Sequence, residues 1–82
     1  MAPQTVCIIP AYNPTRELAL VAAACLDSGI DHVVVVDDGS RTEAAGAFEA
    51  LPDSPRAHLL RHAVNLGKGA ALRTGLNYAY CR

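Results

Sequence analysis

The run Val33-Val34-Val35-Val36 restricts this chain more than any other feature, because four consecutive β-branched residues favour a strand over a helix. A strand with one wet face alternates apolar and polar residues. This run does not alternate, so both of its faces have to be covered. It then passes directly into Asp37-Asp38-Gly39-Ser40, so a strand buried on both sides ends on two carboxylates. Such an ending needs either a turn whose backbone N–H groups meet the charge or an edge where a ligand meets it.

The valine run belongs to the second of three similar units. In the first, Thr5-Val6-Cys7-Ile8-Ile9 reads as a short strand ended by Pro10, followed by a turn and a helix over about 14–28. Asn13 is the expected N-cap, Pro14 takes the first helical position and Gly29 marks the end. In the second, a strand over 32–37 leads through Asp38-Gly39-Ser40 into a helix reaching about Leu51 and closed by Pro52. Ser40-Arg41-Thr42-Glu43 matches the S-x-x-E capping box that fixes a helix start locally. The third unit has a weaker strand over 57–62, a turn at Asn65-Leu66-Gly67 and a helix over 68–80, with Leu72, Leu76, Ala79 and Tyr80 expected on one face.

Strands alternating with helices predict an α/β fold in which three βα units form a parallel, Rossmann-like sheet. Right-handed crossovers bring the three strand C-termini to one edge, and open sheets of this class bind ligands at that edge. Pro10-Ala11-Tyr12-Asn13, Asp37-Asp38-Gly39-Ser40 and Asn65-Leu66-Gly67-Lys68-Gly69 all fall there.

Composition narrows the ligand. With 82 residues, 51% hydrophobic and 18% charged, and a net charge of −1, the chain has a globular composition with no basic excess to attract nucleic acid or anionic lipid. The longest apolar run, 18–26, is far short of the roughly 20 residues that span a bilayer, and no Lys or Arg precedes Pro10 as in a targeting signal. Cys7, Cys25 and Cys81 form no C-x-x-C pair and are odd in number, which suits a reducing, cytoplasmic setting.

Known phosphate-binding signatures fail one by one. A dinucleotide fold needs G-x-G-x-x-G after its first strand, where this chain has Pro10-Ala11-Tyr12-Asn13-Pro14. A P-loop needs Ser or Thr after its Gly-Lys pair, where Gly69 stands. A phospho-receiver needs an Asp after the third strand, where the chain reads His62-Ala63-Val64.

Three motifs in order, VCIIPAYNP, VVVVDDGS and HAVNLGKGAALRTGLNYA, resemble the opening segments of the inverting family 2 glycosyltransferases. The resemblance covers nearly the whole chain. It implies a GT-A fold, of which residues 1–82 would form an incomplete N-terminal, nucleotide-binding portion, and glycosyl transfer from a nucleotide-sugar donor to an unknown acceptor. It implies that Pro10, Ala11 and Tyr12 wall the nucleoside base, with Asn13 beside them, and that Asp38 accepts a hydrogen bond from the base while Asp37 flanks it. Lys68, next to Gly67, matches the basic position at the start of the third helix, suited to a base carbonyl or a phosphate. An ionised carboxylate only accepts, so UDP, dTDP and GDP sugars, whose bases offer ring N–H groups, are expected over ADP or CMP sugars.

The resemblance also implies a D-x-D element binding Mg²⁺ or Mn²⁺ and an acidic general base, neither of which occurs before Arg82. The full-length enzyme is thus expected to use a divalent metal that this chain alone does not bind, and the chain alone is expected to be inactive. A non-catalytic nucleotide-binding or interaction module is the alternative. Self-association is expected through the first strand or an apolar face.

The remaining polar residues have simpler assignments. Ser40 is a helix cap. His58 and His62 have metal-like spacing for a helix but stand roughly 13 Å apart on a strand. Arg16, Arg41 and Arg73 are solvated helix charges.

Overall fold

The computed structural model describes residues 4–80, and the valine run lies at their centre. Three strands, β1 (Val6–Ala11), β2 (His32–Asp38) and β3 (Ala57–His62), form one parallel sheet in the order β1-β2-β3. Helices α1 (Glu17–Asp27), α2 (Ala45–Glu49) and α3 (Lys68–Tyr80) connect or follow them, and a 3-10 turn, Thr42–Ala44, precedes α2. This is the Rossmann-like α/β arrangement expected from the alternation of strands and helices.

The unbroken valine run divides between two cores. Val33 and Val35 pack with Leu18, Ala22 and Leu26 of α1 and Phe48 of α2, whereas Val34 and Val36 pack with Ala71 of α3. Alternate residues point to opposite faces, and none of the four valines is more than 2% exposed. Burying one valine side chain contributes about 2 kcal/mol, so the central strand is the main apolar anchor of both layers.

Against the sheet α3 presents its small residues and not its leucines. A Cβ on Gly75 would stand 2.5 Å from Ile8 Cγ2 and 3.4 Å from Val36 Cγ2. The helix therefore approaches through Ala71 and Gly75, which are buried. Leu72, Leu76 and Tyr80 are turned outward, Tyr80 being 86% exposed. Steric fit overrides the apolar stripe, because a leucine at the contact would hold the helix off the valines.

Two helix starts differ from the local signals. The first helix begins at Glu17 instead of near Pro14, with no side-chain cap. Thr15 supports the start instead, its Oγ1 accepting from the Glu17 N–H at 3.4 Å and its carbonyl from the Leu18 N–H at 3.1 Å. Nor does the Ser40-Glu43 capping box form: the segment opens as a 3-10 turn without a side-chain cap, and α2 ends at Glu49. In both cases the expected cap, Asn13 or Ser40, bonds across to the other loop, as described below. The end of α1 follows the local signal. Gly29 has φ +94°, the Ile30 N–H donates to Cys25 O and the Gly29 N–H to Leu26 O, which is a Schellman termination.

Pro10, expected to end the first strand, lies within β1 opposite Val36. Among the described residues β1 is an edge strand, where a missing N–H is tolerated. Cys7 and Cys25 are free thiols with sulfurs 3.7 Å apart between β1 and α1, and burial pushes the Cys7 thiol up. Cys81 lies outside the described residues. No helix among the described residues is long and apolar enough to cross a membrane.

Candidate functional site

The two carboxylates that end β2 follow the alternation of the valines before them. Asp37 continues the side of Val33 and Val35, and Asp38 continues the side of Val34 and Val36, toward α3.

Asp37 closes a local turn. Its Oδ1 accepts from the Ser40 N–H at 2.9 Å, the short-range bond that Asp residues favour in turns. Ser40 Oγ in turn accepts from the Asn13 N–H, and Asn13 Oδ1 accepts from the Arg41 N–H, both at 2.8 Å. Asn13 adopts φ +48°, a left-handed conformation that asparagine tolerates better than most residues. The loops after β1 and β2 are thereby stitched together, with each partner unavailable as a helix cap.

Asp38 does the corresponding work over a longer range. It is 3% exposed, and its Oδ1 accepts from the Leu66 N–H at 2.9 Å and faces His62 Nδ1 at 2.8 Å. Its Oδ2 accepts from the Gly67 N–H at 2.9 Å. A carboxylate only accepts, so Nδ1 is the His62 nitrogen that carries hydrogen toward it. The His62 hydrogen bond, followed by those from Leu66 and Gly67, holds the Asp38 carboxyl below its ordinary range despite the opposing effect of burial. The Asp38 carbonyl also accepts from Asn65 Nδ2 at 3.2 Å. The loop between β3 and α3 is thus wrapped around one side chain.

Gly39 sits where the two networks meet. It has φ +72°, and a Cβ there would run into the backbone of Val64 and Asn65. Glycine is required on both counts.

These loops frame an open cleft of about 430 Å³ lined by Pro10, Ala11, Tyr12, Asp38, Asn65, Gly67 and Lys68. The residues come from the C-terminal ends of β1 and β2 and the position after β1, from the loop after β3 and from the first residue of α3. Tyr12 is half exposed. Lys68 stands at the N-terminus of a 13-residue helix, where unpaired N–H groups and the helix dipole favour negative charge.

Of the eight residues singled out from the sequence, Pro10, Ala11, Tyr12, Asp38, Gly67 and Lys68 line this cleft. Asn13 and Asp37 do not; they hold its rim through the turn. Asn65 and His62 carry weight that spacing alone concealed. His62 does not act with His58, four residues back on the same strand; its partner across the register is Asp38. His58 instead lies 3.1 Å from His32 and 3.1 Å from the Tyr78 hydroxyl, at the opposite end of the sheet. The signal for His62 was available in principle: it ends β3 as Asp38 ends β2, so parallel strands in step make them neighbours. No group of three or more His, Cys, Asp or Glu side chains among the described residues could hold a metal ion.

The family model described as Glycosyl transferase family 2 matches residues 6–82. No curated protein and no solved structure gives a significant match.

Proposed function

Because the chain belongs to glycosyl transferase family 2, we propose that it forms the nucleoside-binding side of a donor site in an enzyme that transfers a glycosyl group from a nucleotide sugar. The observation that carries this reading is the cleft in which Pro10, Ala11 and Tyr12 at the end of β1 meet Asp38 at the end of β2 and Gly67 and Lys68 at the start of α3.

In the proposed complex the base lies against the Tyr12 ring and the Pro10-Ala11 backbone, where a planar, half-polar surface is complementary to it. Asp38 Oδ2 receives the ring N–H of uracil, thymine or guanine. Within the chain this oxygen accepts one N–H, from Gly67, which leaves lone-pair capacity for a second donor. Lys68 and the N–H groups that open α3 face the diphosphate. Adenine and cytosine present a ring nitrogen that is itself an acceptor, so they place lone pair against lone pair.

No residue of this chain is assigned to making or breaking the glycosidic bond. A Mg²⁺ or Mn²⁺ ion belongs to the proposal for the whole enzyme, where it would neutralise diphosphate charge. The described residues supply no ligand set for it, and no step is routed through it. Residues 1–82 alone are thus expected to bind nucleotide without turning over a donor. The reading includes association through the open edge of β1, which sedimentation over a range of concentrations tests.

Titration calorimetry with UDP, dTDP, GDP, ADP and CMP tests the donor reading. The expected order places UDP, dTDP or GDP at least about tenfold above ADP and CMP, the discrimination of one charge-assisted hydrogen bond. Indistinguishable affinities across the panel would refute it. Asp38→Asn sharpens the test: an amide keeps one acceptor oxygen where the carboxylate has two, both already receiving N–H groups of the chain, so UDP affinity and the preference for UDP over CMP should both fall.

A further inference from the structure

We propose that His62 is a positioning residue for the nucleotide cleft, fixing the rotation of the Asp38 carboxylate so that Oδ2 faces the ligand and the loop over 63–67 closes the wall. The inference rests on the donor-site reading given above.

His62 is the last residue of β3 and stands opposite Asp38 in the parallel register. Its side chain is 9% exposed and does not line the cleft. Any effect on a ligand is therefore transmitted. Both ring nitrogens are engaged: Nδ1 with Asp38 Oδ1 at 2.8 Å, and Nε2 with Thr74 Oγ1 of α3 at 2.8 Å. The imidazole thus ties the end of β2 to the middle of α3, the two elements that present Asp38 and Lys68.

Division of labour on Asp38 makes the coupling directional. Oδ1 is shared by His62 and the Leu66 N–H, while Oδ2 holds the Gly67 N–H beside the cleft. With two donors on Oδ1, the carboxylate plane cannot turn without breaking both bonds. If His62 is removed, the Leu66 N–H alone restrains Oδ1, and rotation about the Cβ–Cγ bond releases the Gly67 N–H as well. Asn65, Gly67 and Lys68 then lose the anchor that sets their distance from Tyr12. A residue serving only to fill space between β3 and α3 would show no such dependence on which nitrogen is retained.

Two conservative variants separate the two bonds. In His62→Asn the amide nitrogen takes the place of Nδ1 and retains the bond to Asp38. In His62→Gln the amide reaches the place of Nε2 and retains only the bond to Thr74. Thr74→Val removes that second bond alone. UDP affinity measured by calorimetry on the full chain should stay within about threefold of wild type in His62→Asn and Thr74→Val, and fall about tenfold or more in His62→Gln. Hydrogen exchange at the Leu66 and Gly67 amides, followed by NMR without nucleotide, should accelerate in His62→Gln and remain slow in His62→Asn. If affinity and exchange in both His62 variants simply track melting temperature, or if His62→Gln matches wild type, the positioning role is overturned. A wild-type chain that binds no nucleotide would refute the donor reading, and the exchange comparison would still decide the role of His62.

Discussion

Asp37 and Asp38 are adjacent, chemically identical and both buried, yet they organise different parts of the molecule. Asp37 reaches three residues along the chain to the Ser40 N–H. Asp38 reaches 24 to 29 residues away, to His62, Leu66 and Gly67. The difference comes from strand alternation: one side chain faces the α1 and α2 layer, where the chain turns back at once, and the other faces α3. A doubled acidic residue at a strand end thus serves as two devices, a local clasp and a long-range clamp, and only the clamp lines the cleft.

Gly39→Ala should have the largest effect, since it strikes both devices together. A methyl group would meet unyielding backbone at Val64 and Asn65 in an unfavourable φ region, and a loss of more than about 3 kcal/mol in urea unfolding is expected. Val36→Ala comes next at about 2–3 kcal/mol, because it empties space beneath α3 without touching either carboxylate. It should destabilise the fold while leaving the preference among nucleotides intact.

The comparison itself is sharpened by acid. The Asp38 carboxyl is held below its ordinary value of about 3.9, so its contribution is complete above that pH and is lost as pH falls through the lower folded value. Urea unfolding at a series of pH values should show stability declining below about pH 4, and Asp38→Asn should flatten that decline. Asp37→Ala removes one bond of the local turn and is expected to cost about 1 kcal/mol while sparing UDP binding. If it lowers UDP affinity as much as Asp38→Asn is expected to, the division between clasp and clamp is wrong. The smallest effect belongs to Glu43→Ala. With Ser40 bonded to Asn13 and no capping box formed, melting should shift by less than about 0.5 kcal/mol in free-energy terms.

Much of the architecture is legible in the sequence. The last two elements were read with their observed bounds, and the non-alternating valines announced a strand covered on both faces. The convergence of three loops at one edge also followed from topology, and six of the eight proposed site residues share one cleft. Errors gathered where a polar side chain had a choice of partner. Asn13 and Ser40 are good caps by local rule, but each lies within reach of the other loop once β1 and β2 pair in register. The apolar face expected on α3 does not say which residues meet the sheet, because periodicity carries no information about size, whereas close approach to Ile8 and Val36 selects Ala71 and Gly75.

The sequence by itself determined the strand-helix alternation, the double burial of the central strand and the loops that meet at its end. These depend on backbone preference and apolar pattern, which act over a few residues. Only the tertiary structure decided which donor each acceptor takes: Asp38 with His62, Leu66 and Gly67, Asp37 with Ser40, and Ser40 with Asn13. A hydrogen bond is set by distance and direction to within a fraction of an ångström, and strand register and helix docking supply that geometry.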